Sequence, residues 1–197
     1  METNGTLNEV VIFPTFTALE SVADAIDGKH VGYGAQDLHW EDAGAYTGAI
    51  SGAMIADICA EYVLVGHSER RALFGDNEAV VAKKMVAAYR NGLKPMLCVG
   101  ENLEEREAGK TARKIAMQLR NALRVITAEQ AESLVVAYEP VWAIGSGKAA
   151  TAEDAQVVCR LIREKIAAIF NEDIARKVRI LYGHNQPCKL PEAIPLK

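Results

Sequence analysis

AYEPVWAIGSGK, residues 137–148, is the stretch on which the fold turns. Leu134, Val135 and Val136 run into Ala137 as a short apolar segment of the kind that forms a buried strand. On the far side, Thr151 followed three positions later by Asp154 has the pattern of a helix N-cap. Glu139 therefore stands where a strand ends. A loop follows it, with Pro140 at one hinge, Gly145 and Gly147 at the other, and the apolar residues Val141, Trp142, Ala143 and Ile144 between. A carboxylate at a strand's C-terminal end, under a loop able to close and exclude water, is a candidate general base.

The rest of the chain repeats this strand-to-helix rhythm. Short, apolar, non-alternating segments predict strands at Val10–Pro14, Val31–Ala35, Tyr62–Gly66, Pro95–Val99, Leu134–Glu139 and Val178–Gly183. Helical patterns fall between them at Ala18–Ile26, Ser51–Ala60, Asn77–Arg90, Thr111–Val125 and Thr151–Phe170. Asp76 is the expected N-cap of the third of these, and Gly92 its stop. Alternation of this kind predicts a parallel α/β sheet, either open and doubly wound or closed as a barrel.

Composition excludes several classes. The chain has 197 residues, a formal charge of −4, and 50% hydrophobic residues. That balance gives no reason to expect nucleic acid or an acidic membrane as partner. No apolar run is long enough to span a bilayer, and the polar start METNGTLNE does not read as a signal peptide. Cys59, Cys98, Cys159 and Cys188 form no C-x-x-C. The first three lie in apolar elements, where buried thiols are expected, as in a reducing cytosol. No His/Cys/Asp cluster has metal-ligand spacing. Trp142 and Ala149 break a phosphate-loop pattern around Gly145, and no G-x-G-x-x-G follows the first strand.

Two other strand ends carry polar groups. His67 follows the third strand and opens Ser68-Glu69-Arg70-Arg71. A histidine just before a helical turn has backbone N–H groups near its ring, which favours the neutral imidazole, and a neutral ring can donate to a carbonyl. Gly100-Glu101 follows the fourth strand and reads as a turn. His30, His39 and His184 read as surface or loop residues.

Taken together, AYEPVWAIGSGK, VGHSERR (65–71), LCVGE (97–101), EEREAGK (104–110), GAYTG (44–48) and ILYG (180–183) resemble, in order, motifs of the triosephosphate isomerase family. The resemblance runs from about Val10 to Gly183. It implies a (β/α)8 barrel and the interconversion of dihydroxyacetone phosphate and glyceraldehyde 3-phosphate in glycolysis and gluconeogenesis, without metal or cofactor. It implies Glu139 as base, neutral His67 as electrophile and Glu69 as its supporting partner, a pairing already known for this family. It further implies Gly145 and Gly183 at the substrate phosphate, a closing lid over Pro140–Lys148 that includes Gly147 and Lys148, and a cytoplasmic homodimer joined through the loop bearing Thr47.

The sequence departs from the family pattern at both ends. The family's opening strand ends in Asn-x-Lys, whereas no Asn-x-Lys occurs here and the first lysine is Lys29. After Gly183 the chain continues His184-Asn185-Gln186 into a segment with Pro187, Pro191 and Pro195. The expectation is a non-family segment 1–9, a partial barrel 10–183 of six parallel strands matching family strands 2–7, and an irregular tail 184–197. Low activity and an incomplete dimer interface follow from that expectation. The alternative is a catalytically inactive fragment or interaction protein of the same family.

Overall fold

The computed structural model describes residues 9–144 and 150–183. In chain order the elements are β1 (Val10–Ile12), α1 (Leu19–Ile26), β2 (Val31–Ala35), α2 (Gly52–Asp57), β3 (Tyr62–Val65), α3 (Ser68–Leu73) and α4 (Glu78–Arg90). They continue with β4 (Lys94–Val99), α5 (Leu103–Glu107), α6 (Thr111–Leu123), α7 (Ala128–Ala131), β5 (Val135–Tyr138), α8 (Ala152–Ile169), α9 (Glu172–Lys177) and β6 (Arg179–Tyr182). The strands form one sheet in the order β1-β2-β3-β4-β5-β6, every pairing parallel.

Strand alternation builds two apolar layers. Tyr62, Met96, Cys98, Val135 and Ala137 cluster on one face with Val11, Phe13 and Leu64. Their neighbours Val63, Val65, Leu97, Val99, Val136 and Tyr138 face the helices, meeting Met85, Leu119 and Ile162. Each fully buried Leu, Ile or Met contributes about 1.5–3 kcal/mol. The sheet curls: Glu9, just before β1, pairs with Arg179 of β6 and accepts from the Tyr62 hydroxyl. The fold is thus a curled, six-stranded parallel half-barrel with helices outside, a partial (β/α)8 architecture.

The predicted strands all form, Val31–Ala35 with the predicted bounds and the others with ends shifted by at most two residues. Thr151 caps α8 in a full capping box with Asp154. Asp76 is not the cap of α4. Asn77 takes that place, accepting the N–H groups of Ala79 and Val80 at 3.0 Å, because the buried Asp76 carboxylate is committed to Lys84 at 2.6 Å. Cys59 is not buried either: it is exposed at a left-handed φ of 58°, where the chain leaves α2. Cys98 is buried and Cys159 half-buried. Helices α5, α7 and α9 are additional to those predicted.

Candidate active site

Continuing the alternation of β5 past Ala137 puts Glu139 on the inner face, at the C-terminal rim of the sheet. Its N–H donates to the carbonyl of Val99, at the end of β4, at 2.8 Å. Its side chain is buried, and both oxygens are engaged: Oε1 is 2.8 Å from His67 Nε2, and Oε2 accepts the Ser68 N–H at 3.0 Å.

His67 is the N-cap of α3, and its Nδ1 accepts the Glu69 N–H at 3.3 Å. That bond occupies the Nδ1 lone pair and leaves Nε2–H as the donor of the neutral ring. The hydrogen bond to Glu139 raises the His67 pKa above its ordinary value, while partial burial works against the charged form and the Glu69 carboxylate assists it. The sequence-derived expectation of a neutral ring thus meets two opposed influences. Capping favours neutrality, and the carboxylate contact, which exists only while Glu139 rests directly on the ring, favours the proton. The Glu69 carboxylate lies 3.8 Å from Nδ1 and is largely exposed, so its contribution to the ring comes mainly through its backbone N–H.

Clefts flank the pair. One of about 200 Å³ runs behind Glu139 along Ser68, Arg71, Cys98, Gln118 and Lys114. Another of about 300 Å³ lies beside His67, along Phe16, Gln36, Leu64 and Phe74. Burial pushes the Cys98 thiol well above its ordinary pKa, and the nearby Glu139 carboxylate adds to this, so the sulfur is an inert wall of the first cleft.

The start of the loop after β5 is anchored. Pro140 is buried, Val141–Ala143 forms a 3-10 turn, and Trp142 is buried beneath the Arg106 guanidinium, 4.3 Å from its ring centroid. The Trp142 N–H donates to the Glu101 carbonyl at 3.2 Å, and its indole N–H to the Tyr138 hydroxyl at 3.5 Å. Glu101, which reads as a mere turn residue, is completely buried. Its Oε1 accepts from Tyr138, Arg106 and Thr111, each at 3.2 Å, and its Oε2 is buried without a partner. Burial and the Glu101 charge hold the Tyr138 hydroxyl far above the usual phenol range. The sequence marks Glu101 only as part of the LCVGE motif and gives it no role. The only local signal is an acidic residue directly after a buried strand that ends in glycine.

The remaining predicted residues are spread around this rim. Gly183 donates to the Tyr138 carbonyl at 2.8 Å, and a Cβ added to it would lie 3.7 Å from Glu139 Cγ, so it borders the glutamate. Ala143 and Ile144 are half-buried, whereas Gly145, Gly147 and Lys148 lie outside the described residues. Thr47 is exposed in the loop between β2 and α2, away from the pair in sequence and held by its own turns. Among the described residues no group of three or more His, Cys, Asp or Glu could hold a metal ion, and no helix is long and apolar enough to cross a membrane.

Curled parallel sheet, outer helices and a glutamate–histidine pair on the C-terminal rim define a barrel-type α/β protein with its polar site at the strand ends. The comparisons with known proteins narrow this class. Residues 1–185 match the family described as Triosephosphate isomerase. Relatives named Triosephosphate isomerase include one from Moorella thermoacetica, 53% identical over 175 residues that cover 89% of this chain and 70% of the relative. Another, from Carboxydothermus hydrogenoformans, is 51% identical with the same coverage. One from Mycobacteroides abscessus is 48% identical over 183 residues, covering 92% of this chain and 70% of the relative. The chain belongs to the triosephosphate isomerase family.

Proposed function

We propose that this chain carries the proton-transfer machinery of an aldose–ketose isomerase acting on triose phosphates, dihydroxyacetone phosphate and glyceraldehyde 3-phosphate. The observation that carries this reading is the 2.8 Å approach of Glu139 Oε1 to His67 Nε2 at the strand ends of a family member. A substrate entering between them takes over both contacts. Glu139 removes a proton from the carbon beside the carbonyl. His67 Nε2–H donates to the carbonyl oxygen as negative charge develops there, and its neutral form is the better match because it can also exchange that proton. The carboxylic acid then returns the proton to the neighbouring carbon while the imidazole passes a second proton from one oxygen to the other, so one proton moves between carbons, one between oxygens, and no electrons leave the substrate. Gly145 and Gly183 hold the phosphate, the loop Pro140–Lys148 covers the site, and the Thr47 loop supports self-association in the cytoplasm.

The sequence contains no Asn-x-Lys segment, and the ion-pair partner of Glu139 among the described residues is His67. Losing the lysine of that segment, one preorganised donor, lowers turnover of this chain alone by about 10²–10³-fold. A coupled assay on the purified chain tests this. Measurable turnover well below that of one of the longer relatives is expected, and turnover equal to theirs would overturn the inferred impairment. Calorimetry with a phosphorylated enediolate analogue tests the site itself, and no heat at millimolar analogue would overturn it.

A further inference from the structure

Arg71 sits on α3 with its side chain 16% exposed, and every nitrogen of its guanidinium is committed. Nε donates to the Gly66 carbonyl at 2.6 Å, Nη2 to the Cys98 carbonyl at 3.3 Å, and Nη1 to Glu78 Oε1 at 2.8 Å. The Gly66 carbonyl belongs to the peptide unit that leads into His67. One residue beyond Cys98, the Val99 carbonyl accepts the Glu139 N–H at 2.8 Å. One rigid, planar group therefore joins the backbone that leads into His67 to the end of β4, the strand end on which the Glu139 backbone is hydrogen-bonded.

The fit around this group is close. Gly66 adopts a left-handed φ of 71°, and a Cβ there would come within 2.7 Å of Arg71 Nη2. Glu78 stands in the first turn of α4. Its Oε2 is buried without a hydrogen-bond partner, so its Oε1 contact with Arg71 is the carboxylate's engagement in this cluster. Arg71 also lines the cleft behind Glu139, together with Ser68 and Cys98.

We propose that Arg71 is a positioning residue whose fork, steadied by Glu78, ties the end of β3 to the end of β4 and so sets the separation of His67 and Glu139. The inference rests on reading that pair as the reacting groups. Lysine cannot replace it: a single tetrahedral ammonium keeps the charge but cannot address three acceptors in one plane.

The test compares Arg71→Lys with the unaltered chain, by turnover and by NMR titration of His67. The substitution preserves charge, so a change in either readout reports geometry. Expected is a fall in kcat on the order of 10²-fold with KM unchanged, the signature of a misplaced reacting pair. The His67 titration, elevated by Glu139 and Glu69 around it, drops back toward its ordinary value. Should Arg71→Lys fail to fold by circular dichroism, Glu78→Gln, which keeps an acceptor but removes the charge that steadies the guanidinium, shows a smaller loss of the same kind. A folded variant with unchanged kcat and unchanged His67 titration overturns the proposal. An unaltered chain without turnover overturns the isomerase reading instead, and the titration then decides the role of Arg71 by itself.

Discussion

Glu139 and His67 are joined edge to edge: Oε1 of the one lies 2.8 Å from Nε2 of the other, while Oε2 is pinned at 3.0 Å by the Ser68 N–H, the residue directly after His67. The carboxylate proposed as base thus rests on the ring proposed as its partner, and both of its oxygens answer to the same short segment of chain. Freeing the carboxylate requires replacing both of these contacts.

Glu139→Gln separates the charge from the contact. The amide oxygen can still accept from His67 or Ser68, so packing is kept, but it cannot take a proton. Isomerase turnover is expected to fall by at least about 10²–10⁴-fold, the usual contribution of a positioned base. Circular dichroism and thermal midpoint stay close to those of the unaltered chain. Turnover that survives the substitution in a coupled assay would assign the proton abstraction to another group.

The same contact predicts a pH effect. Glu139 raises the folded-state pKa of His67 above its ordinary value of 6.5. A proton held more tightly in the fold stabilises it, so this contribution is fully present below pH 6.5 and is lost as pH rises through the raised folded value. Ligand-free protein should therefore lose stability as pH rises above 6.5, and Glu139→Gln should flatten that limb. Urea denaturation at a series of pH values reads the difference, and identical profiles would show that the carboxylate does not control the ring.

Much of this architecture is legible in the chain itself. The run Leu134–Ala137, the Pro140 hinge and the Thr151–Asp154 box act locally, and each stands where the pattern puts it. What escapes is long-range. Asp76 and Asn77 are adjacent and equally good caps, and only Lys84, which arrives from α4 and also holds Asp37, decides between them. Glu101 draws its meaning from Arg106, Thr111 and Tyr138, which come from three different elements. Helices α5, α7 and α9 span at most six residues, too few for a 3.6-residue period to declare itself.

Lys84, on α4, fastens the loop after β2 to the turn before α4. It is buried, and it bridges Asp37 and Asp76 at 2.6 Å each, with Arg70 adding a second cation at 2.9 Å from Asp37. Burial raises the Asp37 pKa even with Lys84 and Arg70 opposing it, a sign of how costly the unpaired charge would be. Lys84→Met removes the partner of two buried carboxylates and should cost about 3–5 kcal/mol, the penalty typical of breaking a buried ion pair from one side. A urea midpoint within error of the unaltered chain would show that water reaches the carboxylates and replaces the lysine.

Among the described residues the two edge strands have one neighbour each, and their apolar side chains are open: Val10 is 50% exposed and Leu181 42%. Unpaired edges with apolar side chains template association with other chains. Val10→Lys and Leu181→Lys, each at an exposed position, should slow aggregation in light scattering without lowering the thermal midpoint. Faster aggregation in both would locate the association surface elsewhere.

Gly100 offers the sharpest probe of the rim. It follows β4, and a Cβ on it would fall inside the radius of the Glu139 carbonyl oxygen, backbone that cannot turn aside. Its own peptide is held by buried Gln118, whose Oε1 accepts the Gly100 N–H at 3.0 Å and whose Nε2 donates to the Gly100 carbonyl at 3.3 Å. Gly100→Ala must therefore drive the ends of β4 and β5 apart or unseat Gln118, an overpacking that costs about 1–3 kcal/mol. The displacement falls on the residue proposed as base, so turnover should drop further than stability does, while Gly109→Ala, at a left-handed φ of 66° in open space, should touch stability alone. Parallel measurement of kcat and urea midpoint on the two variants distinguishes these outcomes, and a Gly100→Ala chain with unaltered kcat would mean that the Glu139 backbone is not what holds the carboxylate in register with His67.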